Sequence, residues 1–177
     1  MITEPPTLIT ERLVLRAQQA SDFDECVAMW NDADVVRHIG GVTRPAQDVW
    51  FTLARSRGMW PLLGYGFWIV EERATGTFLG EAGFADFKRG MTPDMSAAPE
   101  AGWAFNRASW GKGYASEAVG AIHDWLDEFR PGPSGCIIDD GNLASRRVAE
   151  KCGYTFWCEA LYRDHPINVF RREGPAA

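Results

Sequence analysis

The stretch from Glu100 to Asp139 constrains the fold of this chain more than any other. Glu100-Ala-Gly-Trp-Ala-Phe105 reads as a strand, and Gly111 and Gly113 allow a tight turn. A helix follows whose apolar face is Ala115, Ala118, Val119, Ile122, Trp125, Leu126 and Phe129, a helical spacing. Pro131-Gly-Pro-Ser-Gly135 breaks that helix, and Cys136-Ile-Ile-Asp139 is a short apolar strand. Strand, helix and strand in this order make a parallel crossover, so the chain must build a sheet with helices packed on it.

The flanking segments add mainly antiparallel elements. Thr10 to Arg16 is a strand with Leu13 and Leu15 on one face. Ser21-Asp-Phe-Asp24 opens a helix with Ser21 as N-cap. A second helix begins near Pro45, carries Ala46, Val49, Trp50, Leu53 and Ala54 on one side, and closes at Gly58 and Pro61. Phe67 to Glu71 and Phe78 to Phe84 flank the turn Ala74-Thr-Gly76 and read as a hairpin. Lys88 to Pro99 is a polar loop, Asn142 starts a last helix that Gly153 ends, and Tyr154 to Cys158 and Ile167 to Arg172 are closing strands. Residues 1–9 are expected to be a loose end of a single domain spanning 1–177. The fold class is mixed α/β, with a mostly antiparallel central sheet of about seven strands flanked by helices.

Composition narrows the function classes. At 46% hydrophobic, the 177 residues suffice for one core, and most of the Trp and Phe residues are expected to fill it. Net charge is −6, and the one basic cluster, Arg146, Arg147 and Lys151, is too small for a nucleic-acid face. Four cysteines without a C-x-x-C pair and three histidines argue against structural zinc and for reduced thiols in the cytoplasm. The N-terminus has no signal-peptide pattern and no stretch approaches the length of a membrane span. Exposed strands and aromatics are compatible with a homodimer, although no motif specifies one.

Trp110-Gly-Lys-Gly-Tyr-Ala-Ser116, between strand and helix, is where a phosphate would sit: glycines let a ligand approach the backbone, and the helix N-terminus offers free N–H groups. A nucleotide-hydrolase loop fails, because Gly113 rather than Ser or Thr follows Lys112. A dinucleotide fingerprint needs an acid at the end of the next strand, and Glu128 still lies in the helix. The third phosphate-binding class is a coenzyme A pyrophosphate loop, and a turn that uses glycine for geometry alone is the alternative to all three.

Gly111-Lys-Gly-Tyr-Ala115 resembles the acetyl-CoA loop of the GNAT acetyltransferase superfamily, and Asn142-Leu-Ala-Ser-Arg-Arg-Val-Ala-Glu-Lys-Cys-Gly-Tyr154 resembles its next helix. Thr10 to Arg16 and Glu100-Ala-Gly-Trp103 are similar to the first and fourth strands of its RimJ/RimL branch. Trp110, in place of the usual Gln or Arg, agrees with that branch. The resemblance implies an enzyme that transfers the acetyl group of acetyl-CoA, without a metal, to a primary amine on a protein N-terminus or a small molecule. It implies that the fourth and fifth strands splay and that the pantetheine arm lies between them.

Roles follow position by position from the resemblance. The backbone of Trp103, Ala104 and Phe105 would hold the pantetheine, and the amides of Gly111, Lys112, Gly113, Tyr114 and Ala115 the pyrophosphate. Asn142 would touch the pantetheine, and Arg146, with Arg107, Lys112 and Arg147 as further candidates, the phosphates. The tyrosine that usually protonates the leaving thiolate is replaced by Ala149, so Ser145, which would face the thioester sulfur, is the candidate acid. Glu100 is the candidate base, ahead of Glu81 and then Asp86. His38 and His165 lie in loops that could touch substrate, whereas His123 is expected to be structural. The acceptor would lie between the two early helices and the loop from Asp86 to Pro99. The missing tyrosine keeps a second reading open, a non-catalytic acyl-CoA-binding module.

Overall fold

The computed structural model of the protein describes residues 2–95 and 98–175. Its strands are β1 (Leu8–Ile9), β2 (Leu13–Arg16), β3 (Phe67–Glu72), β4 (Phe78–Ala85), β5 (Glu100–Phe105), β6 (Ser134–Ile138), β7 (Thr155–Tyr162) and β8 (His165–Arg172). Its helices are α1 (Phe23–Trp30), α2 (Ala33–Val36), α3 (Ala46–Leu63), α4 (Tyr114–Phe129) and α5 (Leu143–Lys151). The eight strands form one sheet in the order β1-β2-β3-β4-β5-β6-β8-β7. All neighbours are antiparallel except β5 and β6, which are parallel. This is the mixed, mainly antiparallel sheet expected, with one strand more.

The extra strand corrects the expectation of a loose N-terminus. Leu8 and Ile9 pair with Leu15 and Val14 of β2, the Trp68 indole N–H donates to the Pro6 carbonyl at 2.7 Å, and Ile2 and Leu8 pack on the core. The pairing strand is only two residues long, too short to show a period of two. Met1, Ser96 and Ala97, which fall within the expected loose end and polar loop, lie outside the described residues, as do Ala176 and Ala177.

Three further boundaries differ from the sequence reading. Ser21 does not cap α1; it sits in a 3-10 turn over Ala20–Asp22, where the Asp22 carboxylate accepts from the Gln19 amide at 2.7 Å. Asp32 caps the short helix α2, accepting from the Asp34 amide at 2.9 Å. Helix α3 runs through Gly58 and Pro61 and stops at Gly64, whose φ is +77°. Burial of Met59 and Trp60 outweighs the backbone bond that Pro61 removes.

Each face of the sheet carries a core. On one, Cys26, Met29, Trp30, Val36, Val49 and Leu53 of α1 to α3 pack on Ile69, Phe78 and Ala104. On the other, Ala118, Ile122, Trp125 and Leu126 of α4 pack on Leu15, Trp68, Val70 and Phe84. Trp60, Trp68 and Trp125 meet edge to face at centroid distances of 4.6, 5.1 and 5.4 Å, a preferred aromatic geometry. His123 is structural, as expected: its Nδ1 faces the Val119 carbonyl at 2.7 Å and its Nε2 the Tyr154 hydroxyl at 2.9 Å. Burial lowers its pKa to about 4.

Candidate active site

The two parallel strands touch at only one point. Glu100 of β5 is in register with Gly135 of β6, and the Gly135 amide donates to the Pro99 carbonyl at 3.1 Å. From there to Phe105 and Ile138 no further pair forms, so the strands diverge and β5 has unpaired backbone on that side. Trp103, Ala104 and Phe105 lie along this stretch, although the Phe105 carbonyl already accepts from the Trp110 indole N–H at 2.8 Å.

At the open end of the splay the chain turns into α4. Asn106 organises the turn: its Oδ1 accepts from the Ser109 amide at 3.1 Å, and its Nδ2 donates to the Phe78 carbonyl at 2.8 Å. Gly111 and Gly113 have φ of +73° and +81°, where a side chain is strained. A Cβ on Gly111 would meet nothing within 4 Å, and one on Gly113 only the Arg12 Nη2 at 3.4 Å. The first bond of α4 runs from the Glu117 amide to the Gly113 carbonyl at 3.1 Å, which leaves the N–H groups of Tyr114, Ala115 and Ser116 without intrahelical acceptors. Glu117, the acid of the first turn, is held elsewhere: it accepts from Thr10 Oγ1 at 2.6 Å and Arg12 Nε at 2.7 Å. Arg12 also donates to the Lys112 carbonyl at 2.8 Å. The cradle is therefore open, positive and braced from the segment just before β2, which suits a pyrophosphate. Thr10, Arg12, Asn106 and Glu117 had no sequence signal as a group, because their partners lie far along the chain.

The other expected contacts are distributed unevenly. Asn142 caps α5, its Oδ1 accepting from the Ser145 amide at 3.1 Å. Ser145 is half-buried on the first turn of α5. Arg146 pairs with Glu150 at 2.9 Å along the helix, and Arg107 pairs with Asp34 of α2 at 2.8 Å. Lys112 and Arg147 are exposed. His38 faces Asp139 through Nδ1 at 2.9 Å and so ties the segment after α2 to the end of β6. His165 is exposed in the β7–β8 hairpin. Asp86 pairs with Lys88 at 2.5 Å.

The two leading carboxylates differ in their surroundings. Glu100 is buried and grips Arg89: Nε donates to both carboxylate oxygens at 3.0 and 2.8 Å, and Nη2 to one at 2.7 Å. Glu81 lies mid-strand in β4, in register with Ile69 of β3 and Ala104 of β5, so its side chain shares their face beneath α1 to α3. It is 7% exposed and accepts no hydrogen bond from the described residues. Burial raises its pKa to about 7, with Arg44 and then Arg55 pulling it back. A carboxylate that titrates near neutrality one strand from the splay suits proton abstraction from an amine.

No group of three or more His, Cys, Asp or Glu side chains among the described residues is placed to hold a metal. No helix among them is long and apolar enough to cross a membrane.

Residues 12–155 match the model of the acetyltransferase (GNAT) domain family. The chain is 33% identical over 171 residues to the uncharacterised protein YkkB of Bacillus subtilis, covering 94% of this chain and 95% of that protein. Among solved structures, a putative GnaT-family acetyltransferase from Bordetella pertussis superposes with a TM-score of 0.84 at 30% identity, over 95% of this chain and 99% of the other. RimL, the ribosomal L7/L12 alpha-N-protein acetyltransferase, solved in complex with coenzyme A, superposes with a TM-score of 0.76 over 97% of this chain and all of the other. At 15% identity that likeness shows the shared fold alone.

Proposed function

The chain belongs to the GNAT acetyltransferase family, and from that premise we propose that it transfers the acetyl group of acetyl-CoA to a primary amine by direct attack on the thioester. The single observation that carries this reading is the cradle of unpaired amides at Tyr114 to Ser116, beside a splay whose β5 edge lacks a partner. The amides of Gly111 to Ala115 bind the pyrophosphate, with Lys112 and Arg146 near the phosphates. The pantetheine runs along Trp103, Ala104 and Phe105 and meets Asn142.

The amine nitrogen forms a bond to the thioester carbonyl carbon, and the carbon–sulfur bond then breaks. The proton lost by the amine goes to a carboxylate. Both oxygens of Glu100 are engaged by Arg89, so the better-placed acceptor is Glu81, which is unpartnered, and Glu100 anchors the start of β5. The departing thiolate takes a proton from the Ser145 hydroxyl, which regains one from water. The motif likeness to the RimJ/RimL branch supports a protein N-terminal amine as one acceptor class, and a small-molecule amine is the other. Ala149 in place of the usual tyrosine supports a second reading, a non-catalytic acyl-CoA-binding module.

Calorimetric titration with acetyl-CoA, with NAD as control, tests the cradle. Binding of acetyl-CoA alone is expected, and its absence would refute the transferase reading. Formation of acetylated amine then separates the enzyme from the binding module.

A further inference from the structure

The groups around Glu81 say more about the acceptor than its amine. Arg44, in the segment between α2 and α3, is fixed at its backbone: its amide donates to the Trp30 carbonyl at 3.3 Å, and its carbonyl accepts from Asn31 Nδ2 at 3.0 Å. Its guanidinium lies over the Trp30 ring, with Cζ 3.5 Å from the centroid. Trp30 itself is buried in the core shared by α1, β3, β4 and β5. Stacking uses the face of the guanidinium and leaves its in-plane N–H donors unspent. Although Arg44 is half-buried, no carboxylate among the described residues lies within salt-bridge reach of it, unlike Arg16, Arg89 and Arg172.

An unpaired, partly desolvated guanidinium is costly unless something completes it. Burial accordingly lowers its pKa, and Glu81 is the first group that opposes this. Trp30, beneath the guanidinium, packs in one cluster with Ile69 and Ala104, the two residues in register with Glu81, so both charges border the same part of the sheet. Arg55, exposed on α3, adds positive charge to the surroundings of both groups, and Asp48 adds a weaker negative charge to those of Arg44.

Building on the transferase reading, we infer that the acceptor is a small zwitterion of the α-amino-acid type, its amine directed to Glu81 and its carboxylate to the free edge of Arg44. A planar guanidinium edge matches a carboxylate bidentately. A carboxylate next to the amine completes Arg44 as the amine meets Glu81. The amine of a protein N-terminus carries no such group, so Arg44 would stay uncompensated and repel the approaching ammonium. Arg44 is a specificity-determining residue in this arrangement and Glu81 the proton acceptor.

The test measures kcat/KM for acetylation of the proteinogenic amino acids, the corresponding decarboxylated amines, and tripeptides with the same first residue. The readout is chromatographic detection of acetylated product, in wild type, Arg44→Gln and Arg44→Lys. Losing one charge-assisted contact corresponds to a factor of about 10 to 100. Wild type should favour at least one amino acid over its decarboxylated amine and tripeptide by that factor. Arg44→Gln should bring the ratio close to unity, and Arg44→Lys should restore part of it. Equal or better turnover of amines or tripeptides by wild type overturns the inference, even if the variants fail to fold. So does an unchanged ratio in Arg44→Gln. If acetyl-CoA binds and some amine is acetylated without this preference, the zwitterion assignment alone fails. If acetyl-CoA does not bind, the transferase reading fails and the inference with it.

Discussion

Two buried carboxylates on the same face of the sheet differ in what each one touches. Glu100 has a bidentate guanidinium partner, whereas Glu81 has none among the described residues and burial raises its pKa to about 7. Glu81→Gln should lower kcat/KM by about 10²- to 10⁴-fold, and the acid limb expected near pH 7 in the wild-type pH–rate profile should be absent from the variant's. Activity falls on that limb because the protonated carboxyl cannot accept the amine proton. Glu100→Gln should instead act on stability. It leaves Arg89 buried without its counter-charge, a loss of about 3–5 kcal/mol for fully buried pairs and less here because Arg89 keeps some exposure. Chemical denaturation reads that loss directly, and an unshifted midpoint would return Glu100 to candidacy as the base.

The cradle is a property of elements rather than of single residues. Gly111 and Gly113 provide the backbone geometry, α4 provides three free amides, and Arg12, just before β2, braces the turn through Glu117 and the Lys112 carbonyl. A side chain on Gly113 would adopt a strained φ, at a cost of about 1–2 kcal/mol, and would project beside Arg12. Gly113→Glu should therefore abolish acetyl-CoA binding in calorimetry while the circular-dichroism spectrum stays native, because an acid placed there competes with the phosphates for the same dipole. Retained affinity would move the cofactor elsewhere. The β3–β4 pair shows a different use of glycine. A Cβ on Gly83 would lie 2.4 Å from the Phe67 Cα, so the small residue permits close approach of β3 to the strand that carries Glu81.

At the scale of the whole molecule, two buried titrations oppose each other. Glu81 has a folded-state pKa of about 7, raised from 4.5, so its contribution to stability is fully present below the unfolded value and is lost as pH rises through about 7. His123 has a folded-state pKa of about 4, lowered from 6.5, so its contribution is present above the unfolded value and is lost as pH falls through about 4. Each is worth about 3 kcal/mol at most, and between pH 6.5 and 4.5 the two nearly cancel. Glu81→Gln should be more stable than wild type at pH 8. It should also expose the His123 dependence as a falling Tm on acidification. A pH-independent Tm in that variant would deny His123 its buried neutral state. What the sequence determined by itself was everything encoded locally: the helical period of α4, the glycine turn, the Asn142 cap, the β3–β4 hairpin and the family these motifs resemble. Long-range contacts decided the rest. A two-residue strand is too short to show a pattern, yet pairing with β2 fixes β1. Burial carried α3 past Gly58 and Pro61. Which of the two carboxylates is paired depended on Arg89, which the fold brings to Glu100 and not to Glu81, and Arg44 acquired meaning only when the tertiary fold set it on Trp30 without a carboxylate partner among the described residues. Hydrogen bonds and desolvation between residues distant in sequence leave no local signal, because their free energy appears only once the chain has packed.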